Sequence, residues 1–379
     1  MLNPSNIGII ADDLTGACDI AACFACVNKP VSVFLCPENA VDMGTGFAVI
    51  NTQTRLIPTE QSRRILYGAG KKLEGKTVIL KKIDTALRGS VGAEIQGLAE
   101  ALGEKSGPWE IIVAPAIPEI GKITRGGLQY DNEIPIHQTD YADDLSTPVS
   151  SANIAEVIAR TSKVKVEVCD AETDNDLKHI VTGSLNGTKT VFVGSLGLAN
   201  ALAEQFVSEK CRSTKIPIAN RPMVVCGSQY ERAHVQIEKA AAHVGANVNY
   251  IHPNRGDGES DSLGKNQICF TCLIRQKITH AECSPSEVMM RFISIVTQAI
   301  SKIKPDGLAI VGGETAYHLL NELGAKTLTV YGRISDVISY GIIEDGEMAG
   351  RPFLMKGGSV GTDDSVIQML DLLTTSKER

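Results

Sequence analysis

The chain has 379 residues, of which 43% are hydrophobic and 21% charged, as is typical of a globular protein with two or three domains. Its formal net charge of −7 argues against a nucleic-acid-binding surface, because such surfaces need a basic face to meet phosphates. No stretch approaches the roughly 20 apolar residues of a membrane-spanning helix. The first residues lack the pattern of a signal peptide, so we expect a cytoplasmic protein without a membrane partner.

The ten cysteines are expected to be reduced thiols, because nothing in the sequence indicates secretion. Two pairs have the CxxC spacing of some zinc sites: Cys23 with Cys26, and Cys269 with Cys272, the latter followed by His280 and Cys283. The first pair falls in a predicted helix. The second falls in a predicted buried strand, where residues three apart face opposite sides. We therefore predict no metal site at either pair.

Short apolar runs alternate with helical patterns in the first half of the chain, which is typical of a parallel α/β fold. A helix rich in small apolar residues is predicted over 12–26. A hairpin-like segment runs through Gly126, Gly127 and Pro135. The predicted strands are Ile7–Ala11, Val31–Leu35, Phe47–Ile50, Thr77–Lys81, Ile111–Ala114, Val164–Val168 and Val191–Val193.

A break at 208–222 (SEKCRSTKIPIANRP) lacks a clean period and is the predicted linker. Beyond it, the predicted strands are Met223–Cys226, Asn247–Ile251, Gln267–Ile274, Leu308–Val311, Thr327–Val330 and Pro352–Met355. One helix is predicted from an apolar stripe of Val288, Phe292, Ile295, Val296, Ala299 and Ile303. We therefore predict two α/β domains with mainly parallel sheets, over residues 1–213 and 221–379. Ligands of such sheets bind outside the carboxyl ends of the strands.

Charged side chains follow several predicted strands of the first domain. Asp12 and Asp13 come between the first strand and a helix, so one carboxylate could cap the helix while the other faces the ligand. We favour Asp13 as the catalytic base, because it lies nearer the helix dipole that would keep it ionised. Arg55, Lys82 and Arg88 follow two other strands and could neutralise a substrate carboxylate. The competing interpretation is a set of solvated surface charges.

Three predicted strands of the second domain run into glycine-containing turns. These turns are Gly227–Gln229, Gly312–Thr315 and Lys356–Gly361. Glycine lets backbone N–H groups approach a phosphate closely, and a helix N-terminus adds donors and a positive dipole end. Three such turns at one edge of a sheet predict a polyphosphate cradle. Neither the P-loop nor the dinucleotide fingerprint is present, which argues against those two nucleotide-binding classes.

Several motifs resemble the four-carbon acid sugar kinase family and run in family order along nearly the whole chain. They are IADDLTGA at 10–17, NTQTR at 51–55, KKIDTALRG at 81–89, VGAE at 91–94, TPVSS at 147–151, GSLGLA at 194–199, GGETA at 312–316 and KGGSVG at 356–361. The resemblance implies an N-terminal substrate domain and a C-terminal nucleotide domain. It also implies phosphorylation of a tetronate such as D-threonate, D-erythronate or 3-oxo-tetronate by ATP and Mg²⁺, generally on the 4-hydroxyl.

Carried over by motif, the substrate contacts would fall on Asp12, Asp13, Arg55, Lys82, Asp84 and Arg88. The ATP contacts would fall on Ser228, Gly312, Gly313, Glu314, Thr315, Gly357 and Gly358. Thr85-Ala86 stands where the family commonly has Ser-Thr, and Lys122 stands in a run that is typically Arg-Thr-Thr, so the exact substrate is left open. A non-catalytic sugar-acid sensor and an NAD-dependent sugar-acid dehydrogenase are the alternatives from other classes. The oligomeric state is also open, with a homo-oligomer among the options.

Overall fold

The computed structural model describes residues 3–25, 29–40, 46–106, 109–144, 146–185, 187, 189–207, 216–252, 268–273 and 284–375. The chain divides into two compact units, Met1–Lys210 and Cys211–Arg379. Residues 208–215 of the predicted linker lie outside the described residues, as do Cys26, His280 and Cys283. None of the described helices is long and apolar enough to cross a membrane. A cytoplasmic location stays a prediction.

The first unit is built on a parallel sheet. Its strands are β1 (Ile7–Ala11), β2 (Val31–Phe34), β3 (Ala48–Asn51), β4 (Val78–Lys82), β5 (Glu110–Ala114), β9 (Glu167–Val168) and β10 (Thr190–Gly194). They lie in the order β2-β3-β1-β4-β10-β5-β9. The helices are α1 (Leu14–Phe24), α2 (Thr59–Lys71), α3 (Val91–Ser106), α4 (Ile154–Ala159), α5 (Asp174–Ser184) and α6 (Leu196–Ala203).

A small antiparallel sheet accompanies this unit where the sequence predicted a hairpin. Its strands are β6 (Lys122–Arg125), β7 (Leu128–Asp131) and β8 (Ile134–Pro135). Gly126 and Gly127 form the turn between β6 and β7, both with positive φ, which glycine adopts at no steric cost.

The second unit has a mixed sheet in the order β12-β13-β11-β14-β17-β16-β15. Strand β16 is antiparallel to both of its neighbours, β15 and β17, and the other pairs are parallel. The strands are β11 (Pro222–Cys226), β12 (Val248–Ile251), β13 (Cys269–Leu273), β14 (Gly307–Val311), β15 (Thr327–Ile334), β16 (Ile338–Ile343) and β17 (Pro352–Lys356). The helices are α7 (Glu231–His243), α8 (Pro285–Ile303), α9 (Gly313–Glu322) and α10 (Ser365–Thr374).

Local sequence explains why α8 begins and packs as it does. Ser284 and Glu287 form a capping box, and Pro285 occupies the first turn, where its missing N–H costs nothing. The buried stripe of α8 follows the predicted helical period. It comprises Val288, Phe292, Ile293, Val296, Ala299, Ile300 and Ile303, whereas Ile295, which we predicted in the stripe, is only half-buried.

The predicted α/β class with mainly parallel sheets is confirmed. Strand β16 was missed, because Gly341 interrupts its apolar run and a glycine within a strand weakens the pattern. The strand predicted over 164–168 shrinks to Glu167–Val168 at the edge of the sheet.

Candidate active site

The first cluster of charged residues lies at the carboxyl ends of three adjacent strands. Strand β1 lies between β3 and β4, and Ala11 is in register with Asn51 on one side and Lys82 on the other. The residues that follow these strands therefore meet at one edge of the sheet, although they are far apart in sequence. This arrangement brings together Asp12, Asp13, Arg55 and Lys82.

Asp13 is the N-cap of α1. Its Oδ1 accepts hydrogen bonds from the backbone N–H of Gly16 at 3.2 Å, from Nη2 of Arg55 at 2.6 Å and from Nζ of Lys82 at 2.8 Å. Its Oδ2 accepts from the Thr15 hydroxyl at 2.5 Å. A carboxylate has about four acceptor positions. Among the described residues, Asp13 thus accepts four hydrogen bonds, three of them on Oδ1 and one on Oδ2.

Asp12 keeps spare acceptor capacity. Its Oδ2 accepts from Nε of Arg55 at 2.9 Å, and its Oδ1 accepts from Nη2 of Arg55 at 3.1 Å and from Nζ of Lys82 at 3.1 Å. These three hydrogen bonds leave about one of the four acceptor positions for another donor. Asp12 accepts three hydrogen bonds against four on Asp13, and Asp13 is also fixed as the cap of α1, so Asp12 is the less heavily engaged of the two aspartates.

The cations of this cluster keep both aspartates ionised. Burial alone would raise the pKa of Asp12, but the charges of Arg55 and Lys82 outweigh it and hold the pKa far below its usual range. The pKa of Asp13 is lowered in the same way, again against burial. A carboxylate with so low a pKa takes up a proton poorly, so its strength lies in orienting a donor.

Gly16 allows Lys82 to reach the two aspartates. A Cβ at this position would lie 2.4 Å from both Nζ of Lys82 and Oδ1 of Asp13, closer than side-chain atoms approach in folded proteins. Any side chain at Gly16 would therefore displace the ammonium group from the cluster.

Arg88 is held by two carboxylates. Its Nε and Nη2 donate to the two oxygens of Asp84 at 2.9 and 3.1 Å, a bidentate pair, and its Nη1 donates to Asp144 at 3.1 Å. Oδ2 of Asp84 also accepts from the backbone N–H groups of Ala86 and Arg88. Asp84 therefore orients the guanidinium group of Arg88.

Lys81 and Lys82 face opposite sides of β4, as alternation along a strand requires. Lys82 joins the aspartate cluster, whereas Nζ of Lys81 lies 2.6 Å from Oε2 of Glu94 on α3, with both side chains almost fully buried. Of the two adjacent lysines, only Lys82 belongs to the cluster.

A cavity of about 450 Å³ lies beside Arg55 and Arg88 in the first unit. It is lined by residues 55–59 and 87–91, by 146–151 in the TPVSS segment, and by Val157, Arg160 and Thr161. Nε and Nη2 of Arg55 are used by the aspartates, but no described residue accepts a hydrogen bond from Nη1. The cavity is of the size that small polar ligands occupy, and it has hydroxyl and guanidinium donors in its wall.

The three glycine-containing turns of the second unit meet, because β11, β14 and β17 are neighbours in its sheet. A Cβ at Gly358 would lie 2.1 Å from Oγ of Ser228, and a Cβ at Gly312 would lie 3.0 Å from Oγ1 of Thr315. Gly312 has a φ of +112°, which other residues rarely adopt. It precedes α9, so the N-terminal end of this helix borders the same space.

Side chains of α7 support this group of turns. Nε2 of His234 lies 2.9 Å from the Ser228 carbonyl oxygen and so acts as the donor. Arg232 donates to the Gly361 carbonyl at 3.0 Å, and Gln236 donates to the carbonyls of Val360 and Thr362. The backbone around Ser228 and after Gly358 is therefore fixed by the helix that follows β11.

Comparison with known proteins matches each unit to a family model. Residues 7–168 match a sugar-binding N-terminal domain, and residues 265–366 match a nucleotide-binding C-terminal domain. A D-threonate kinase of Salmonella typhimurium is 26% identical, over 96% of this chain and 97% of that protein. A D-erythronate kinase of Heliobacterium modesticaldum is 27% identical, over 98% of both chains. A 3-oxo-tetronate kinase of Burkholderia multivorans is 20% identical, over 94% of this chain and 95% of that protein.

The chain belongs to the four-carbon acid sugar kinase family. The predicted order of a substrate-binding domain followed by a nucleotide-binding domain is thereby confirmed. Two crystal structures share the family fold. A Salmonella typhimurium protein titled a putative tRNA synthase has a TM-score of 0.78 at 17% identity, over 96% of this chain and 98% of that one. A Haemophilus influenzae protein has a TM-score of 0.72 at 17% identity, over 94% and 97%.

Two residues that contact the family motifs were not predicted. Asp144 pairs with Arg88, but it follows no strand of the sheet and so escapes a search of strand ends. His234 holds the Ser228 carbonyl from within α7, where a lone histidine on an amphipathic helix carries no sequence signal. Both depend on contacts that only the folded chain creates.

Proposed function

We propose that this chain transfers the γ-phosphoryl group of MgATP to the 4-hydroxyl of a four-carbon sugar acid, with D-threonate and D-erythronate as the leading substrates. The proposal rests on the presence, in one chain of this family, of a site suited to a sugar acid and a site suited to nucleotide phosphates. A carboxylate and cation cluster lies in the unit that matches a sugar-binding domain, and three glycine turns meet in the unit that matches a nucleotide-binding domain. Relatives named for kinase activity on tetronates support the same reaction.

The phosphates of ATP would lie against the turns at Gly312–Thr315 and Gly357–Gly358, with Ser228 beside them. The convergence of Ser228, Gly312 and Gly358 supports this assignment, as do the N–H groups at the start of α9. Magnesium would offset the phosphate charge when bound, and in such sites it takes one or two carboxylates besides phosphate oxygens and waters. Glu314 fits this role, because it is the carboxylate in the first turn of α9.

The sugar acid would be held by Arg55, Lys82 and Arg88. Nη1 of Arg55 is available, and both arginines line the 450 Å³ cavity, which is large enough for a four-carbon chain. Asp84 and Asp144 hold the Arg88 guanidinium in place, so less side-chain freedom is lost when a carboxylate binds. Fixing the carboxylate end of the substrate would decide which hydroxyl faces ATP.

The acceptor hydroxyl would donate to Asp12. In phosphoryl transfer the protein mainly positions the groups and offsets charge. The 4-hydroxyl oxygen attacks the γ-phosphorus, the bond from that phosphorus to the ADP oxygen breaks, and the hydroxyl proton passes to Asp12 or through it to water. Asp12 suits this role better than Asp13, because Asp13 caps α1 and accepts four hydrogen bonds from described residues, whereas Asp12 accepts three. We therefore propose Asp12 as the orienting carboxylate, where the sequence had favoured Asp13.

An assay of ADP release with MgATP across three- to five-carbon sugar acids tests the reaction. We expect release to depend on a tetronate, with D-threonate or D-erythronate giving the highest kcat/KM. The product should carry its phosphate on the 4-oxygen, which NMR coupling to phosphorus detects. Binding of a sugar acid without ADP release from any candidate would instead favour a sensor.

Replacing Arg88 by alanine should mainly raise the KM for the sugar acid. A hydrogen-bonded contact between charged groups contributes about 1.5–3 kcal/mol, so we expect an increase of roughly 10- to 150-fold. The KM for ATP should change little, because Arg88 lies in the other unit. Arg125→Ala is the matched control, since Arg125 is an exposed arginine of the same unit paired with Glu133 and Glu172. An unchanged sugar-acid KM in Arg88→Ala would remove Arg88 from the substrate site.

A further inference from the structure

Lys356 is a fully buried lysine that pairs with no carboxylate of the described residues. It ends strand β17, and its side chain is among the largest fully buried side chains described. Its Nζ donates to the Gly357 carbonyl at 2.7 Å, and no described carboxylate lies within 4 Å of it. An ammonium group has three donors, so this contact leaves two of them unused. Burying an ammonium group that has no charged partner is unfavourable in free energy unless an anion binds beside it.

The other buried lysines among the described residues differ from Lys356, because each of them has a carboxylate partner. Lys81 is equally inaccessible to solvent but lies 2.6 Å from the Glu94 carboxylate. Lys82 contacts both Asp12 and Asp13. Among the described residues, Lys356 is the buried lysine whose charge no carboxylate offsets.

The position of Lys356 points to the anion that is missing. Its backbone carbonyl accepts from the N–H of Gly312 at 2.9 Å, which joins the turn after β14 to the turn after β17. Gly357 and Gly358 follow directly, and Gly358 packs against Ser228. The ammonium group therefore belongs to the glycine turns, where backbone N–H groups already favour a phosphate.

We propose that Lys356 binds the ATP phosphates, supplying the positive charge of a site otherwise built from backbone N–H groups and hydroxyls. The inference rests on the proposed function and names a nucleotide contact that the glycine turns alone do not include. In the free protein no described carboxylate offsets the positive charge of Lys356. The phosphates of a bound nucleotide would offset it, so Lys356 would destabilise the free protein and stabilise the complex.

The pH dependence follows from the surroundings of Lys356. Burial and the nearby positive charge of Arg232 lower its pKa to about 8, with Cys226 acting in the opposite direction. Because this pKa lies below the unfolded value of 10.5, the destabilising effect is full below pH 8 and is relieved as the pH rises toward 10.5. Phosphate binding favours the charged form. ATP binding near pH 8.5 should therefore take up protons, and binding near pH 7 should take up almost none.

The test compares Lys356→Met with wild type by calorimetry and thermal unfolding. We expect MgATP to bind the variant roughly 10- to 150-fold more weakly, as for loss of a charged hydrogen bond. Adenosine affinity should be unchanged, and the Tm of the free variant should be higher than that of wild type. Lys239→Met is the matched control, because Lys239 is an exposed lysine of the same unit paired with Asp364 at 2.8 Å. It should leave both measurements unchanged.

The possible results distinguish the inference about Lys356 from the proposed kinase function. If wild type binds ATP and Lys356→Met binds it as tightly, the inference is overturned and the proposed function stands. If wild type binds no nucleotide at all, both are overturned. Calorimetry of wild type at pH 8.5 in two buffers of different ionisation enthalpy needs no variant. The absence of proton uptake there would overturn the inference even if Lys356→Met did not fold.

Discussion

Replacing Asp12 by asparagine should lower kcat by about 10²- to 10⁴-fold, the range typical of a group positioned at a proton that moves in the transition state. Asparagine keeps the shape of the side chain but removes the charge that orients the hydroxyl. ATP affinity should change little, because Asp12 lies in the unit that matches the sugar-binding domain. Steady-state kinetics with calorimetric ATP binding would separate the two effects, and the Tm would show whether the variant folds.

Asp13→Asn is the matched comparison for this variant. Asparagine caps a helix about as well as aspartate, so the start of α1 should survive. One charge that faces Arg55 and Lys82 is lost in either variant, but Asp12 is the less heavily hydrogen-bonded aspartate and the proposed contact of the substrate. We expect a clearly smaller loss of kcat in Asp13→Asn. The reverse order would move the role to Asp13, and normal turnover in Asp12→Asn, Asp13→Asn and Asp84→Asn alike would exclude a carboxylate mechanism.

Replacing Gly312 by valine should weaken ATP binding about 100-fold, as the loss of one or two hydrogen bonds to a charged phosphate would. The φ of +112° is unfavourable for a β-branched residue, and the added atoms would meet Thr315. The turn would therefore move away from the position that its N–H groups need. Sugar-acid affinity should be unaffected, because those contacts lie in the other unit. Isothermal calorimetry with each ligand separately measures both quantities.

Gly350→Val is the control for Gly312→Val, because it introduces backbone strain outside the proposed ATP site. Gly350 also has a positive φ, +74°, but a side chain there would meet nothing within 4 Å. Its substitution should cost stability while leaving ATP affinity intact. If Gly312→Val binds ATP normally while Gly350→Val behaves as expected, the phosphates do not lie at the turn after β14.

Much of the site could be predicted because its signals are local. Carboxylates and cations that directly follow apolar runs are visible in a short stretch of sequence, and parallel topology implies that such strand ends share one edge. The clustering of Asp12, Arg55 and Lys82 agrees with this reasoning. The pairing of individual charged residues with one another could not be predicted. Arg55 contacts aspartates more than 40 residues away, and such pairings depend on strand order and side-chain reach.

Periodicity and glycine placement predict the α/β class and the three glycine turns, because both act over a few residues. The resemblance of the motifs to the family implies the order of the two domains. How similar residues divide their tasks depends on the folded chain. Asp13 caps α1 and accepts four hydrogen bonds, whereas Asp12 accepts three and caps no helix. Lys81 lies beside Glu94, whereas Lys356 is buried with no carboxylate of the described residues beside it. Burial and pairing are properties of three-dimensional neighbours, and the cost of a buried charge depends entirely on them.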